Sequence, residues 1–327
     1  MKTSYFLAWW NLENLFDVFN SPDRADWLQK ELSVELKDWT AAVMQKKIEN
    51  LCRIISKMNN NLGPDILGVC EVENKTVLEK LVSGLAGLGR NYGIAIHEMS
   101  DARGIDIAFI YDKSKFVLCE TFSYTVLKRT ATRDIFQANF TTKSGRPFIL
   151  IGNHWPARSA GILESEPARI IAAETLSYWL QRITEIRGID VPVIVMGDFN
   201  DEPFSRSVAD YALASNSANN VIFAKSTRLF NLMWPMLGRG EGTYFYDNFP
   251  LIIDQFMVTK ELIKSTGKFR VAKDSNGDYL VKIERFAEMT SGGRYPLPIR
   301  FSRPSDKSGF NPKGFSDHFP ISMIVGF

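Results

Sequence analysis

The sequence predicts an α/β protein in which two mixed β-sheets pack face to face and helices cover their outer sides. Segments with apolar residues at helical spacing alternate along the chain with short strands rich in β-branched and aromatic residues. Some of these strands are continuously apolar, which is typical of strands buried on both faces, and others alternate like antiparallel strands. Mixed sheets covered by helices account for both kinds of strand.

The predicted elements run from residue 5 to residue 325. Apolar residues at helical spacing predict helices at 40–59, 76–88 and 166–186, and Gly63-Pro64 marks the end of the first helix. Residues 65–70 and 191–196 are apolar almost throughout and predict buried strands. Further strands are predicted at residues 5–10, 93–97, 105–111, 116–126, 135–142, 147–152, 251–258 and 320–325.

Two long polar stretches interrupt this pattern, near residues 17–38 and 264–313. The second contains Asn276-Gly277 and Gly292-Gly293, which are typical of turns. We expect both stretches to be surface loops and a hairpin inserted into one domain that spans residues 1–327, because no repeat or linker divides the chain.

The composition is that of a globular protein with a sizeable core. The chain has 327 residues, of which 45% are hydrophobic and 23% are charged, and its net charge is +2. This near balance argues against the strongly basic face of a dedicated, high-affinity nucleic-acid binder. It permits a local basic patch and a phosphate-bearing substrate.

Cysteine usage and the N-terminal segment bear on the compartment. Cys52, Cys70 and Cys119 have no metal-ligand spacing and imply no disulfide framework. The apolar stretch at 5–10 is too short for a signal peptide, and no run approaches transmembrane length. We therefore expect a cytoplasmic protein, or a secreted one if a signal peptide has been removed.

Six polar clusters occur where apolar strands end or, in one case, within a strand. They contain carboxylates, amides and imidazoles, which are costly to bury unless they are paired or bind a metal. Two of the three histidines lie in these clusters, whereas His97 lacks polar neighbours and is expected to be structural or at the surface. The clusters are Trp10-Asn11-Leu12-Glu13-Asn14, Cys70-Glu71-Val72-Glu73-Asn74, Gly152-Asn153-His154-Trp155, Met196-Gly197-Asp198-Phe199-Asn200-Asp201, Ile253-Asp254-Gln255 and Phe315-Ser316-Asp317-His318.

Each cluster taken alone has an ordinary structural explanation as a cap or a turn. The residues from Asp198 to Asp201, which precede Pro203, could form an Asx turn, and short motifs often match by chance. Six clusters in one chain, placed at the strand ends where α/β folds gather their ligands, favour a reaction centre instead.

Taken in order, these motifs resemble those of the endonuclease/exonuclease/phosphatase superfamily, which includes DNase I, abasic-site endonucleases, inositol-polyphosphate 5-phosphatases and bacterial sphingomyelinases. The resemblance covers nearly the whole chain, and Gly197-Asp198-Phe199-Asn200 and Ser316-Asp317-His318 are its most diagnostic parts. The segments at 153–161 and 242–244 are most similar to a bacterial, largely uncharacterised branch that also contains extracellular nucleases. The resemblance implies a four-layer α/β sandwich with the site at one end of the paired sheets.

The resemblance also implies a Mg²⁺ site, with Mn²⁺ or Ca²⁺ as alternative ions. Glu71 would be the principal ligand, helped by Asn11, Glu13 or Asp317. Hard divalent cations prefer such oxygen ligands and retain several waters.

Catalytic roles follow from the same resemblance. Asp198 would orient or deprotonate the attacking water, and Asn200 would hold substrate or transition-state oxygens. His318 would donate to a phosphoryl oxygen, with its tautomer fixed by Asp254. His154 would contact the phosphate from the other side or act as a general acid.

Three further residues are candidate substrate ligands. Arg103 precedes the strand at 105–111, where it is either a solvated turn residue or a phosphate clamp. Arg158 follows His154 by four residues within a matched motif, and Asn153 adjoins that histidine. Cations before residue 316 are interpreted as a solvated loop or a substrate-facing rim; they are Arg294, Arg300, Arg303, Lys307 and Lys313.

The resulting hypothesis is a metal-dependent phosphoesterase that cleaves a phosphodiester, with nucleic acid among its candidate substrates. A phosphomonoesterase acting on an inositol phosphate, a lipid headgroup or a nucleotide is the alternative enzyme. A catalytically inactive binding module is disfavoured because Glu71, Asp198, Asn200, Asp254, Asp317 and His318 are all present.

Overall fold

The computed structural model describes residues 3–98, 103–127, 132–302 and 309–326. Its strands are β1 (Ser4–Leu15), β2 (Ile66–Val72), β3 (Tyr92–Ile96), β4 (Asp106–Asp112), β5 (Phe116–Tyr124), β6 (Ile135–Thr142), β7 (Pro147–His154), β8 (Val193–Asp198), β9 (Ala214–Ser215), β10 (Leu229–Asn231), β11 (Tyr244–Tyr246), β12 (Phe249–Leu251), β13 (Asp254–Val258), β14 (Arg270–Val271), β15 (Val281–Ile283) and β16 (Ile321–Gly326). Its α-helices are α1 (Asp26–Glu31), α2 (Ala41–Asn61), α3 (Lys75–Gly84), α4 (Ile162–Arg187) and α5 (Ala218–Ile222).

Two long helices, α2 and α4, form where apolar residues recur at helical spacing. The Thr40 side chain accepts a hydrogen bond from the Val43 backbone and begins α2, and regular geometry ends at Met58, before the left-handed residues Asn59 and Asn60. Helix α4 begins after Gly161 and contains Pro167 in its second turn, where the proline removes one intrahelical hydrogen-bond donor.

Most of the strands belong to two large mixed sheets. In the first sheet the strand order is β14-β16-β1-β2-β4-β3, with β15 also paired to β16. In the second sheet the order is β5-β6-β7-β8-β13-β10-β9, and β11 and β12 form a separate hairpin. The neighbours β1 and β2 are parallel, as are β7 and β8, whereas β13 runs antiparallel to β8.

The two sheets pack face to face and helices cover their outer sides, which confirms the predicted four-layer sandwich. The interface between the sheets is apolar, and includes Leu7, Trp9, Phe109, Phe136, Leu150, Met196 and Phe256. Helices α2 and α3 cover the outer side of the first sheet, where Leu51 and Leu78 join the core that contains Val69. Helix α4 covers the second sheet, where Leu176 and Leu180 join Ile151.

The ring of Trp9 lies directly against Gly68 on the neighbouring strand. A Cβ atom at Gly68 would stand 2.6 Å from Trp9 Cε3 and 2.9 Å from Met196 Sδ, so only glycine allows this close approach. The indole is fully buried between the sheets as a result. This position brings the Trp9 indole to Asp254, at the start of β13.

Most predicted elements are confirmed, with two differences. The strand predicted at 251–258 is interrupted: the chain leaves β12 at Leu251 and enters β13 only at Asp254. The stretch near 264–313, predicted as surface loops and a hairpin, contains an antiparallel bridge between Lys273 and Tyr279 around the turn at Asn276-Gly277. It also contributes β14 and β15, which extend the first sheet. Arg303 and Lys307 lie outside the described residues.

The stretch near 17–38 contains α1 and is tied to the end of β2. The buried Arg24 guanidinium contacts both oxygens of Glu73, with Nε–Oε1 2.6 Å and Nη2–Oε2 2.7 Å. Leu28 of α1 packs against Gly104, next to Arg103. Within the described residues, no helix combines the length and the apolar character needed to cross a bilayer.

Candidate active site

Three polar residues stand side by side at one end of the second sheet. In the strand register His154 of β7 is the partner of Asp198 in β8, and Asp198 is the partner of Asp254 in β13. Asn11 of β1 and Cys70 of β2 are partners in the first sheet, and Glu71 follows directly. The ends of both sheets therefore bring these polar motifs together, as ligand sites of α/β folds commonly do.

These strand ends line a cavity of about 560 Å³, within the range of small-molecule sites. Nine of the eleven predicted site residues line it. A tenth, Asp254, is buried behind the cavity-lining His318. The cavity-lining residues from the prediction are Asn11, Glu71, Arg103, His154, Arg158, Asp198, Asn200, Asp317 and His318. A more open depression of about 630 Å³ near α5 is lined by neither a carboxylate nor an imidazole.

His318 and Asp254 form a buried hydrogen-bonded pair. His318 Nδ1 lies 2.7 Å from Asp254 Oδ2, and Trp9 Nε1 donates to Asp254 Oδ1 at 3.2 Å. Burial by itself lowers the pKa of His318, but the charge and hydrogen bond of Asp254 outweigh it and raise this pKa well above 6.5. The imidazole is therefore held as a cation with its Nε2 edge directed at the cavity.

The segment that carries His318 is pinned to the end of β1. Ser316 Oγ donates to the Asn11 carbonyl at 2.7 Å and accepts from the His318 amide at 3.1 Å. Trp10 Nε1 donates to the His318 carbonyl at 2.9 Å. Both tryptophans are fully buried in the core, and they also orient the histidine and its partner.

Asp198 is a buried carboxylate that lines the cavity. Its Oδ1 accepts from the Asn200 amide at 2.9 Å and its Oδ2 accepts from Asn11 Nδ2 at 3.1 Å. His318 Nε2 is 3.9 Å from Oδ2. Burial raises the pKa of Asp198 to about 7, against the lowering effect of His318. A carboxylate with such a pKa can accept a proton near neutral pH.

Glu71 faces the cavity from the end of β2 in a left-handed conformation, with φ of 60°. This conformation is uncommon for a glutamate and is found at sites where the surroundings fix it. Its Oε2 accepts from the Asn14 amide at 3.0 Å, and its Oε1 lies 3.6 Å from His154 Nε2. Arg103 Nη2 is also 3.6 Å from Oε1.

The donor set around Glu71 fits a hard divalent cation. Carboxylate oxygens of Glu71 and Asp317 and the amide oxygen of Asn11 line one cavity, and oxygen ligands of this kind suit Mg²⁺. Asn11 Oδ1 accepts from the Glu13 amide at 2.9 Å and keeps a second lone pair. Asp317 is the most open of these acids, with 19% of its side chain exposed.

Asp198, Asp254 and His318 also have the spacing of a metal site, since one ligand atom from each lies within 4.8 Å of the others. However, His318 and Asp254 already bond each other, and Trp9 donates to the second oxygen of Asp254. The geometry therefore favours a hydrogen-bonded set here and an oxygen-lined metal position near Glu71.

Glu13 does not join these ligands. Its carboxylate accepts from Arg300 Nε at 2.8 Å and from the amides of Phe301 and Ser302 at 2.9 Å and 3.3 Å. Burial and then the charge of Asp317 raise the pKa of Glu13 to about 7. The alternative in which Glu13 helps to bind the metal is therefore replaced by a role in fixing Arg300, Phe301 and Ser302.

Lys47 was not predicted as part of the site. It is fully buried in α2, donates to the Glu13 carbonyl, and places its ammonium 5.1 Å from the centre of the Phe301 ring. A sequence signal existed, because Lys47 lies on the apolar stripe of α2 between Met44 and Leu51. A lysine at such a position is unusual unless it has a buried partner.

Asn200 and Arg158 meet on one side of the cavity. Asn200 Nδ2 donates one hydrogen to the Trp155 carbonyl at 3.0 Å, and Arg158 Nε donates to the Asn200 carbonyl at 2.5 Å. Arg158 Nη2 also contacts Asp201 Oδ1 at 2.9 Å, and the buried Arg169 holds the other oxygen at 2.6 Å. Asp201 thus positions the arginine.

Asn153 is corrected by the structure, because it does not line the cavity. Its side chain is fully buried, accepts from Trp155 Nε1 at 3.1 Å and donates to the Ile151 carbonyl at 3.3 Å. Successive side chains of a strand point to opposite faces, so Asn153 is directed away when His154 faces the cavity. Asn153 fixes Trp155 and, through it, the turn that follows β7.

A hairpin that the sequence did not predict closes one side of the cavity. Tyr244 and Tyr246 of β11 and Phe249 and Leu251 of β12 line it, and the ring of Tyr244 lies 4.9 Å from that of His318. The two turn residues, Asp247 and Asn248, both have positive φ, as a two-residue hairpin turn requires. Asp247-Asn248 is the signal that was available in the sequence.

Comparisons with known proteins agree with this architecture. A model of the endonuclease/exonuclease/phosphatase family matches residues 6–326. Solved structures with the same fold include a Bacteroides thetaiotaomicron protein of that family, with 16% identity, a TM-score of 0.58 and coverage of 100% of this chain and 99% of that chain. The mannosyl-6-phosphatase of the same organism has 17% identity, a TM-score of 0.57 and coverage of 99% and 100%.

The catalytic domain of human Nocturnin, solved with a bound sulfate anion, is also similar, with 18% identity, a TM-score of 0.53 and coverage of 99% of this chain and 97% of that chain. At these identities the likeness concerns the fold. None of the curated proteins matches the sequence.

Proposed function

The chain belongs to the endonuclease/exonuclease/phosphatase family, and on this premise we propose that it is a Mg²⁺-dependent phosphoesterase that hydrolyses a phosphodiester. The observation that carries the proposal is the cavity at the sheet ends. It combines an oxygen donor at Glu71, a buried carboxylate at Asp198 and a charged imidazole at His318. Nucleic acid is one candidate substrate.

Asp198 is the proposed base for the attacking water. It lines the cavity, and its pKa of about 7 suits proton transfer near neutral pH. Asn11 and the Asn200 amide each donate to it, so its orientation is fixed before substrate binds. The water oxygen bonds to phosphorus as Asp198 takes one of its protons.

Bond cleavage completes the reaction. As the new P–O bond forms, the bond from phosphorus to the leaving oxygen breaks on the opposite side, and the configuration at phosphorus is inverted. His154 is the proposed acid that gives a proton to this oxygen. The products are an alcohol and a phosphate monoester. Asp198 then gives its proton to solvent, and His154 takes one from solvent before the next turnover.

Charge on the phosphoryl oxygens is balanced by donors around the cavity. His318, charged through its pairing with Asp254, donates from Nε2, and Asn200 and Arg158 contribute from the other side. Arg103, which lies beside Glu71, is the proposed ligand of a non-reacting phosphate oxygen.

Glu71, with Asn11 and Asp317, is the proposed metal-binding set. Bound there, Mg²⁺ would neutralise charge that develops on the phosphoryl group and the leaving oxygen. Mn²⁺ or Ca²⁺ could bind to the same oxygen donors. These ions differ from Mg²⁺ mainly in the number of ligands and in the metal–oxygen distance.

A phosphomonoesterase is the second candidate. The mannosyl-6-phosphatase shares the fold over its full length, and a bounded cavity of about 560 Å³ suits a small phosphate ester. A binding module without activity is disfavoured, because each proposed acid, base and ligand is present and positioned around one cavity.

The test compares hydrolysis of bis-p-nitrophenyl phosphate, p-nitrophenyl phosphate and plasmid DNA, each with Mg²⁺ and with EDTA. Hydrolysis of the diester would indicate a phosphodiesterase, and cleavage of plasmid DNA would indicate a nuclease. A preference for the monoester would support the second candidate. Asp198→Ala should lower kcat by at least about 10²-fold. The control is Asp210→Ala, which removes an exposed carboxylate that pairs loosely with Arg206.

Hydrolysis that persists in EDTA, or in the Asp198→Ala variant, would refute the mechanism. An absence of hydrolysis of all three substrates in Mg²⁺, Mn²⁺ and Ca²⁺ would refute the enzyme hypothesis and leave the binding module.

A further inference from the structure

The β11–β12 hairpin presents one aromatic face to the cavity. In its register Tyr244 is opposite Leu251 and Tyr246 is opposite Phe249. Because side chains alternate between the faces of a strand, these two cross-strand pairs lie on the same face. All four side chains line the cavity, and this set is called the aromatic face below.

The hairpin is anchored to the reaction centre. The buried Thr243 accepts at Oγ1 from the Asp254 amide at 3.1 Å, and its carbonyl accepts from the Phe319 amide at 2.7 Å. On the opposite side of the hairpin the Phe245 ring packs edge-on against Phe319, with 6.2 Å between ring centres. The same residues that hold Asp254 and the segment after His318 therefore fix the direction of the aromatic face.

The outer part of the aromatic face is open. Tyr246 is 65% exposed and Phe249 is 72% exposed, although both line the cavity. Ile162, at the start of α4, also lines the cavity and is 59% exposed. Large apolar side chains grouped at the mouth of a site commonly mark the surface that a ligand covers.

The two ends of the cavity differ in chemistry. The inner end holds buried polar groups such as His318 and Asp198, whereas the outer part of the hairpin presents the exposed rings of Tyr246 and Phe249. Tyr244 joins the two ends, since its ring lies 4.9 Å from that of His318. A ligand that fits both would carry a phosphate at one end and a flat apolar group at the other.

We propose that the aromatic face binds a nucleobase attached to the phosphate ester, so that the substrate of this site is a nucleotide ester. The inference rests on the function proposed above and names its substrate class. Aromatic side chains stack on bases without needing a particular hydrogen-bond pattern. Open rings in a cavity that also holds cationic Arg158 suit a flat, partly polar base, whereas an acyl chain would call for an enclosed apolar channel.

Isothermal titration calorimetry tests the proposal with two monophosphates in the presence of Mg²⁺. Thymidine 5′-monophosphate carries a base, and 2-deoxyribose 5-phosphate has the same sugar phosphate without one. The Asp198→Asn variant prevents turnover. We expect the nucleotide to bind at least about tenfold more tightly, the lower part of the range for stacking on an aromatic side chain.

Variants of the aromatic face separate stacking from general apolar contact. Phe249→Ala and Tyr246→Ala, each in the Asp198→Asn background, should weaken nucleotide binding by about tenfold and leave binding of the sugar phosphate unchanged. Phe249→Tyr and Tyr246→Phe should keep the preference because they keep the rings. Phe223→Ala, which removes an equally exposed ring elsewhere, is the control.

Equal affinity for the two monophosphates, or a preference that survives Phe249→Leu and Tyr246→Leu unchanged, would overturn the aromatic subsite while leaving the phosphoesterase intact. Binding of neither compound would refute the phosphate site itself, and with it the proposed function. If Asp198→Asn folds poorly, competitive inhibition of bis-p-nitrophenyl phosphate hydrolysis by wild type gives the same comparison.

Discussion

His318 Nδ1 lies 2.7 Å from Asp254 Oδ2, although Asp254 begins a strand of the second sheet and His318 precedes a strand of the first. The pair therefore spans the interface between the two sheets. The indole of Trp9 closes the other side of Asp254 from within that interface. Packing between the sheets and the charge of the histidine are consequently coupled.

Replacing Asp254 by asparagine should reduce turnover more than substrate affinity. The amide cannot stabilise the imidazolium, so His318 would be neutral near pH 7 and a poorer donor to phosphoryl oxygen. We expect kcat for bis-p-nitrophenyl phosphate to fall by about 10²-fold or more, with a smaller change in KM. Steady-state kinetics measure the loss of turnover, and a thermal melt shows whether the variant remains folded. A kcat within twofold of the wild-type value would contradict the prediction.

The pH dependence of kcat/KM should show an acid limb near pH 7. Asp198 acts as a base only when ionised, and burial raises its pKa to about 7, so activity should be lost as pH falls through this value. His318 acts as a cation, and its pKa lies well above 6.5, so the alkaline limb should lie well above that value. Kinetics between about pH 3 and pH 10 measure both limbs, and an acid limb near pH 4 would remove Asp198 from the role of base.

Glu71 and Glu13 should respond differently to the same substitution. Glu71→Gln should raise the Mg²⁺ concentration for half-maximal activity by at least about tenfold, because it weakens the proposed principal ligand. Glu13→Gln should mainly lower stability, by about 1–3 kcal/mol, because its carboxylate accepts three hydrogen bonds in the fold. Metal titration of activity and urea unfolding separate the two effects. If Glu71→Gln mainly lowered stability and Glu13→Gln mainly raised the Mg²⁺ requirement, the two assignments would be reversed.

Arg24→Met should destabilise the segment near 17–38. The substitution would leave the Glu73 carboxylate buried without the guanidinium that contacts both of its oxygens, a change that costs about 3–5 kcal/mol. Arg182→Met, which breaks an exposed pair with Glu185, should cost less than about 1 kcal/mol. Urea unfolding measures both, and limited proteolysis should show earlier cleavage near 17–38 in the first variant only.

The sequence predicted the frame of the site well because strand ends are marked by local chemistry. The apolar runs that became β2, β7 and β8 each lead directly into Glu71, His154 or Asp198, so their convergence followed from the sheet architecture. Asn153 was misplaced because a matched motif was read as a unit, whereas strand alternation sends Asn153 and His154 to opposite faces. The alternation of side chains along a strand is enough to separate these two neighbours.

Other parts depended on contacts that no local pattern contains. Glu13 is one of three alternative helpers of Glu71 in the sequence-based expectation, but Arg300 and the amide of Phe301, nearly the whole chain away, hold its carboxylate. The β11–β12 hairpin was missed because its strands are three residues long and continue as the apolar segment Ile252-Ile253, which masks the break before β13. Tertiary packing decides such short elements.

The hydrogen bond from Trp9 to Asp254 joins residues 245 positions apart, and that from Trp10 to His318 joins residues 308 positions apart. Contacts of such long sequence separation are slow to form in folding because a large loop must close first. During N-to-C synthesis, strand β1 is complete long before its partner β16 exists. Newly made chains should therefore acquire the geometry of His318 and Asp254 only at the end of folding, and refolding kinetics followed by activity should lag behind those followed by helix formation.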